Sequence, residues 1–438
     1  MKEKDVPDPS PDCRLLDCLA CYAVADRSRV LHRWSERDWA ECIGQAERHG
    51  LSAYLSRRLK ETDPAVTIPS AVLDRLRLAI LTDASRSIRH FHGISRILGI
   101  LKSAGIPVIV LKGAHLAESV YGDIALRPMG DLDLLLPADV IPEASERLLG
   151  AGFTPMNASA SSWLEWTADE KQGFLRGAKH FFDLLHPVWR LKVDLHASLV
   201  RFSDPFTIDD AALWTRAVAA RVAGADTLVL APADALLYLC LHTSVVHRYR
   251  FGLRPLVDLH ETLRRHANNL DWTEASARAR EWGAERSVWL TLRICRDLLG
   301  APVPETALKQ LEPRTVRPGY RALAIRNIFS TNGNARVLPD ELIRSWSAAR
   351  FRDRLSALIR SFFPPARVMA LMYPASPGSR RMALYYPVRW KDLFARWGRT
   401  FWALLIRRRQ EGMRLAEEKN EVEFTDWLKR KESQRSTF

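Results

Sequence analysis

The stretch that most constrains this chain is Val108 to Pro137, VIVLKGAHLAESVYGDIALRPMGDLDLLLP. An apolar run ends at a glycine, a helix-like segment follows, and a second apolar run opens with Asp131, Leu132 and Asp133. Aspartate is a poor strand former and is costly to bury without a partner. A strand alternates faces with period two, so both carboxylates point the same way and repel unless a cation lies between them. The sequence therefore predicts a strand whose head is a charged site and whose body is core.

The flanking sequence sets the architecture around that strand. Residues 13–100 read as helical, with Ser35 as an N-cap, Asp38 three residues on in a variant of the capping box, and Gly50 interrupting the pattern. Pro64 and Pro69 mark a loop before a second long helical pattern. From Gly105 the texture changes. IPVIVLK reads as a strand, GAHLAESVYG as a short helix, DLDLLL as a strand and ADVIPEASERLLGAG as a helix closing at glycine. HFFDLLHP and RLKVDLHASL then read as paired strands around a Pro187 turn, giving an α+β module with a mixed sheet. After Pro232 a helical hairpin is expected, its second helix carrying Pro255 near the first turn, and more helices run to about residue 360. The fold class is thus α+β, a small mixed sheet flanked by N- and C-terminal helical regions. The boundaries expected are 13–100, 101–231, 232–360 and a basic, aromatic-rich 361–438.

Composition excludes several classes. With 47% hydrophobic and 26% charged residues over 438 positions, the chain is neither disordered nor membrane-embedded, and it is long enough for two or three cores. The polar, proline-rich MKEKDVPDPSPD lacks the apolar stretch of a secretory signal, and no apolar run approaches the ~18 residues of a membrane-spanning helix. Six cysteines make no disulfide framework, and the C-x-x-C of Cys18 and Cys21 lacks a second pair to hold zinc, so core packing and a cytoplasmic location are expected.

A net charge of +14 points to an anionic partner. Between Arg380 and Arg409 stand nine basic residues and one acidic one, with Trp390, Trp397, Phe401 and Trp402 among them. That segment reads as a helix packed on the body, as a contact with an anionic membrane surface (which would place the protein at the inner face of the membrane), or, last in order, as a nucleic-acid contact.

The acidic pair suggests the chemistry. A hard divalent ion such as Mg²⁺ resolves the repulsion, takes oxygen ligands and also binds substrate phosphates. Two such ions can activate an attacking oxygen and neutralise a leaving pyrophosphate. A third carboxylate is wanted from another strand, and Asp194 is the candidate, since Val193 and Leu195 would face the core. Gly113 would let a triphosphate approach the backbone at the start of the next helix. His196 shares the face of Asp194 and can orient a carboxylate. Lys112 and Arg127 can neutralise phosphate charge. His242 and His247, five apart on an α-helix and so about 140° round its axis, would not share a face. One of them can reach an acceptor or pair with Asp258 across the hairpin, or both can simply pack.

These residues resemble the nucleotidyltransferase superfamily with the DNA polymerase β-like catalytic fold, and more closely its branch of uncharacterised nucleotidyltransferases. Lys112, Gly113 and Ala114 occupy the glycine position at the helix start, Asp131 to Asp133 the acidic pair, and Val193 to His196 the third acid. The branch resemblance adds the LKG opening, Arg127 before the acidic pair, and a downstream helix pair with His242, His247 and Asp258. It implies a magnesium-dependent enzyme with two Mg²⁺ ions on Asp131, Asp133 and Asp194, and a nucleoside triphosphate (NTP) held by Lys112, Gly113, Ala114 and Arg127. A nucleoside monophosphate would pass to a peptide, glycan or other small acceptor with release of pyrophosphate. Ala114 stands where the superfamily pattern has serine, and the gap from Gly113 to Asp131 is longer than usual. Two alternatives stay open: an inactive nucleotide-binding or scaffold protein of the same fold, and an RNA-modifying nucleotidyltransferase.

Overall fold

A computed structural model describes residues 13–20, 24–64, 66–156, 183–200, 204–330, 359, 362–370, 372–376, 378–405 and 409–431, with backbone alone for 24, 25, 367, 396–405, 409–416 and 418. Helices α1 (Arg14–Leu19), α2 (Val24–Leu31), α3 (Glu36–His49), α4 (Ser52–Lys60) and α5 (Ser70–Ser103) come first. Strand β1 (Ile109–Val110), the short α6 (Lys112–His115), a π-helical turn (Leu116–Val120), β2 (Asp131–Leu135) and α7 (Ile141–Gly150) follow. Next are β3 (Thr154–Pro155), β4 (Leu184–His186), β5 (Leu191–His196), α8 (Asp210–Arg216), β6 (Val218–Val222) and β7 (Ala225–Val229). Then come α9 (Pro232–Leu241), a second π-helical turn (His242–Val246), α10 (Arg254–Arg265), α11 (Trp272–Trp282), α12 (Glu285–Leu299), α13 (Glu305–Leu311) and α14 (Tyr320–Phe329). Helices α15 (Ala366–Met369), α16 (Met382–Leu405) and α17 (Arg409–Lys429) close the chain.

Local chemistry accounts for the best-defined boundaries. Ser35 caps α3 with the expected box: its hydroxyl accepts from the Asp38 amide, and the Asp38 carboxylate accepts from the Ser35 amide. Gly50 closes α3 in the left-handed region, at φ 64°. The strand expected from His180 begins at Leu184; residues 180–182 lie outside those described, as do Cys21 and the first twelve residues.

The sheet has seven strands in the order β3-β4-β5-β2-β1-β7-β6. Strands β2 and β5 run parallel, as do β1 and β7, and the other neighbours are antiparallel. Period two divides its central faces. Leu132, Leu134, Val193, Leu195 and Val110 join the buried C-terminal half of α5 and helix α7 in one core. Ile109 and Leu135, on the opposite face, join a second, mainly helical core. Asp131, Asp133, Asp194 and His196 share that second face. The helical core draws on α3, α4, α9, α10, α12 and α14 together, and the C-terminal segment supplies both cores: Met369 and Tyr373 to the first, Phe424 and Trp427 to the second.

Cys18 packs against Cys42, their sulfurs 3.9 Å apart, and the described cysteines are buried and free. On α16, Trp390 is tied down by a hydrogen bond to the Phe362 carbonyl, while Leu384 and Phe394 are exposed. The side chains of Trp397, Phe401 and Trp402 lie outside those described. Among the described residues, no helix is long and apolar enough to cross a membrane.

The two cores also bury histidines in neutral form. Burial, against an opposing pull from Glu261 and with repulsion from Arg264, moves His260 down to about 4. An unfolded histidine titrates near 6.5. Between these values the unfolded chain binds the extra proton, so this group removes stability as pH falls from about 6.5 through 4. The His260→Gln variant is expected to gain on the wild type as pH falls. Melting temperatures compared at pH 7.5 and pH 4.5 should show the gap moving in the variant's favour at the lower value; a constant gap contradicts the assignment.

Candidate metal and phosphate site

Parallel pairing of β2 with β5 sets Asp133 directly opposite Asp194, and Leu135 opposite His196. Asp133, Asp194 and His196 each offer a ligand atom, and these atoms all lie within 4.8 Å of one another. Asp133 is almost fully buried; His196 Nε2 lies 2.9 Å from its Oδ1 and Lys112 Nζ lies 3.1 Å from its Oδ2. Burial alone would push the Asp133 carboxyl up. The Lys112 charge and the His196 hydrogen bond outweigh it and hold the group well below the usual carboxylate range.

Asp194 behaves in the opposite way. Burial, a hydrogen bond with Asp183 and repulsion from Asp133 push it up to about 8, although Lys192 pulls the other way. Lys192 Nζ bridges Asp194 Oδ2 at 3.2 Å and Asp183 Oδ2 at 3.0 Å. The other oxygen of Asp194, Oδ1, is buried without a hydrogen-bond partner. Two carboxylates, one with an unsatisfied buried oxygen, beside an imidazole make a donor set that fits a divalent cation, whose binding requires them deprotonated. Asp131 stands one step up the same strand face, opposite Lys192 and outside the three-residue cluster.

Around the cluster, Lys112 sits at the start of α6 with φ 26°, a left-handed backbone that a non-glycine residue adopts at a penalty. Its ammonium reaches both Asp133 and His242 Nε2, the latter at 2.8 Å. Tyr238, buried one helical turn before His242, lies with its ring 5.7 Å from that histidine's. Burial, then the charges of Asp133, Asp131 and Asp194, push its hydroxyl well above the ordinary tyrosine value.

Several expectations are corrected. His242 and His247 do share a face: their rings meet edge-on at 4.2 Å. The helix there is π-helical, with the His247 amide bonded to the His242 carbonyl, so five residues complete one turn rather than overshooting it. Asp258 pairs with neither histidine. Its carboxylate accepts from Arg127 Nε at 3.0 Å, from Arg127 Nη2 at 2.8 Å and from the Tyr121 hydroxyl at 2.8 Å. Arg127 is therefore committed in a buried bidentate pair; burial would lower its pKa, and Asp258 keeps it raised.

Gly113 is also not open to a phosphate on its side-chain side. A β-carbon there would lie 3.3 Å from Arg127 Nη1, so the glycine makes room for the arginine. Ala114 is fully buried in the sheet core, a place where a serine hydroxyl would need a buried partner.

Residues that the motif pattern did not flag complete the site. Lys192 was readable, since period two puts it on the face of Asp194. Tyr238, Tyr121 and Asp183 carry no local signal and are brought in by tertiary packing.

An α+β sheet that presents a largely buried Asp-Asp-His cluster on adjacent strands fits a nucleotidyltransferase. Residues 35–300, more than half the chain, match the family described as uncharacterised nucleotidyltransferase, and the chain belongs to that family. No curated protein and no solved structure matches it.

Removing one partner of a buried bidentate pair typically destabilises by ~3–5 kcal/mol, while replacing both by apolar residues recovers much of that. Asp258→Asn should therefore shift the urea midpoint down strongly, and the double variant Arg127→Met with Asp258→Leu should recover most of the loss. A single-variant change below about 1 kcal/mol would show that the pair is not a structural tie.

Proposed function

We propose that the protein is a metal-dependent nucleotidyltransferase that moves a nucleoside monophosphate from an NTP to a small acceptor. The observation carrying this reading is the alignment of Asp133 with Asp194 across parallel strands, with a buried, unsatisfied oxygen on Asp194, in a chain of this family. An acceptor oxygen forms a bond to the α-phosphorus while the bond to the bridging oxygen breaks. Pyrophosphate leaves with that electron pair, and the acceptor's proton passes to a base or solvent.

Asp133 and Asp194 would hold Mg²⁺, with Asp131 as a further carboxylate for a second ion. When bound, the ions neutralise charge on the phosphates and ease deprotonation of the acceptor. His196 fixes the carboxylate of Asp133 through the 2.9 Å contact at its Oδ1. Lys112, held by Asp133 and His242 together, stands beside the cluster, where its charge would meet the triphosphate. Most of the rate enhancement would come from positioning and charge neutralisation.

A second reading is an inactive nucleotide-binding or scaffold protein, favoured by one observation: Lys112 already neutralises Asp133. The two readings separate in one assay. Wild type and Asp133→Asn are melted with each of the four ribonucleoside triphosphates, with and without Mg²⁺. Ligand at a hundred times its Kd adds about 2.7 kcal/mol, enough for a visible shift. The expected result is a Mg²⁺-dependent shift for at least one triphosphate that Asp133→Asn loses. Pyrophosphate release on adding candidate acceptors supports the enzyme; binding without release across a broad acceptor panel supports the scaffold. No shift with any triphosphate overturns both.

A further inference from the structure

A cavity of about 1170 Å³ lies between α3, the start of α4, α5, the turn from Arg250 to Arg254 and the end of α14. It is linked to the carboxylate cluster by an unbroken series of side-chain contacts. Lys112 touches Asp133 and His242, His242 touches His247, and His247 stacks on Phe251 at 4.2 Å. Phe251 lines the cavity, as does Pro128, three residues before Asp131.

The charge of the wall is one-sided. Five arginines face two carboxylates, Glu47 and Asp83. Arg75 pairs with Glu47 through two contacts of 2.6 Å, and Arg86 with Asp83. Arg250 reaches out of the wall to Glu421 at 3.3 Å. Arg48 and Arg254 are left, and among the described residues neither has a carboxylate within ion-pair distance. Arg48 is exposed.

Arg254 is largely enclosed. It donates to the Pro128 carbonyl at 3.3 Å, lies 5.7 Å from the Phe251 ring centroid and packs against Gly50. The natural counterion one helical turn on, Asp258, is taken by Arg127. Burial and repulsion from Arg127 hold the pKa of Arg254 below its ordinary value, although Asp83, Asp258 and Asp131 attract it at longer range. An enclosed guanidinium without its own carboxylate, at the wall of a cavity, is a planar donor set suited to an oxyanion.

We propose that this cavity binds the anionic part of the acceptor, a phosphate or a carboxylate group, through Arg254 as its enclosed cation and Arg48 as its exposed one. The anion site stands on the cavity and its charge; its assignment to the acceptor rests on the nucleotidyl-transfer reading. Gly50, at φ 64°, lets Arg254 come close to the end of α3, since a β-carbon there would lie 3.1 Å from its Nη1.

The test is equilibrium binding of inorganic pyrophosphate and of citrate to the full chain, in EDTA and at constant ionic strength. Four proteins are compared: wild type, Asp133→Asn, Arg254→Gln and Arg48→Ala. At least one anion should bind the wild type and Asp133→Asn equally. Losing a charge-assisted contact should weaken it about tenfold or more in Arg254→Gln and severalfold in Arg48→Ala. Pyrophosphate alone binding assigns a phosphate-bearing acceptor, citrate alone a carboxylate-bearing one. Should Arg254→Gln fail to fold, the exposed Arg48→Ala decides. The proposal is overturned if neither anion binds, if the arginine variants bind as the wild type does, or if Asp133→Asn abolishes binding. A last arm adds saturating Mg²⁺ and the preferred triphosphate. Retained anion binding fits an acceptor seat, whereas displacement makes the cavity the triphosphate's seat and overturns the assignment. Failure of the nucleotidyl-transfer reading would show separately, as anion binding that persists in a protein no triphosphate stabilises.

Discussion

Two carboxylates that face each other across neighbouring parallel strands cannot both carry charge in a buried setting without help. At Asp133 and Asp194 the protein resolves this by treating them differently. Asp133 receives a lysine and a histidine and stays ionised, while Asp194, beside Asp183, is driven toward its protonated form. Two lysines above this face of the sheet answer that asymmetry: Lys112 from the α6 turn and Lys192 from the strand itself. A divalent cation would remove the asymmetry by stabilising both carboxylates at once.

The site also needs its two halves held together, since its carboxylates and His196 come from strands and His242 and His247 from the helical part. Arg127 and Asp258 form that tie. Arg127 leaves the loop before β2, passes beside Gly113 and ends on α10, and Tyr121 adds a third bond to the same carboxylate. A parallel tie runs from α4, where the Tyr54 hydroxyl and Arg57 both reach Glu261, one turn from Asp258 on α10. Burying such charges adds little net stability compared with apolar packing, but breaking either tie would leave an uncompensated charge between the two cores.

Much of the sheet and its charged face was legible in the sequence because strand period is short and rigid. Asp131, Asp133, Asp194 and His196 follow from counting by two, and Ser35 with Asp38 announced a capping box that is present. What could not be read depends on partners far along the chain. The motif-based role of Arg127 as a phosphate contact assumed a free guanidinium, and its partner lies 131 residues away. Ala114 was assigned to the nucleotide from its place in a motif, whereas its side chain belongs to the core. The relation of His242 to His247 was misjudged because the helical period itself changes between them, and no residue type signals that change.

That change of period has a consequence for how this part of the chain can vary. A π-helical turn holds one residue more than an α-turn of the same height, so it stores an insertion without lengthening the helix. Losing a single residue from the His242–Val246 turn would let it relax to α geometry while leaving all that follows nearly in phase. His242 and His247 would then stand four apart on an α-helix and still share a face, so the series through Phe251 would persist. The link between the carboxylates and the cavity can thus outlast the loss of one residue, provided that the loss falls inside the π-helical turn.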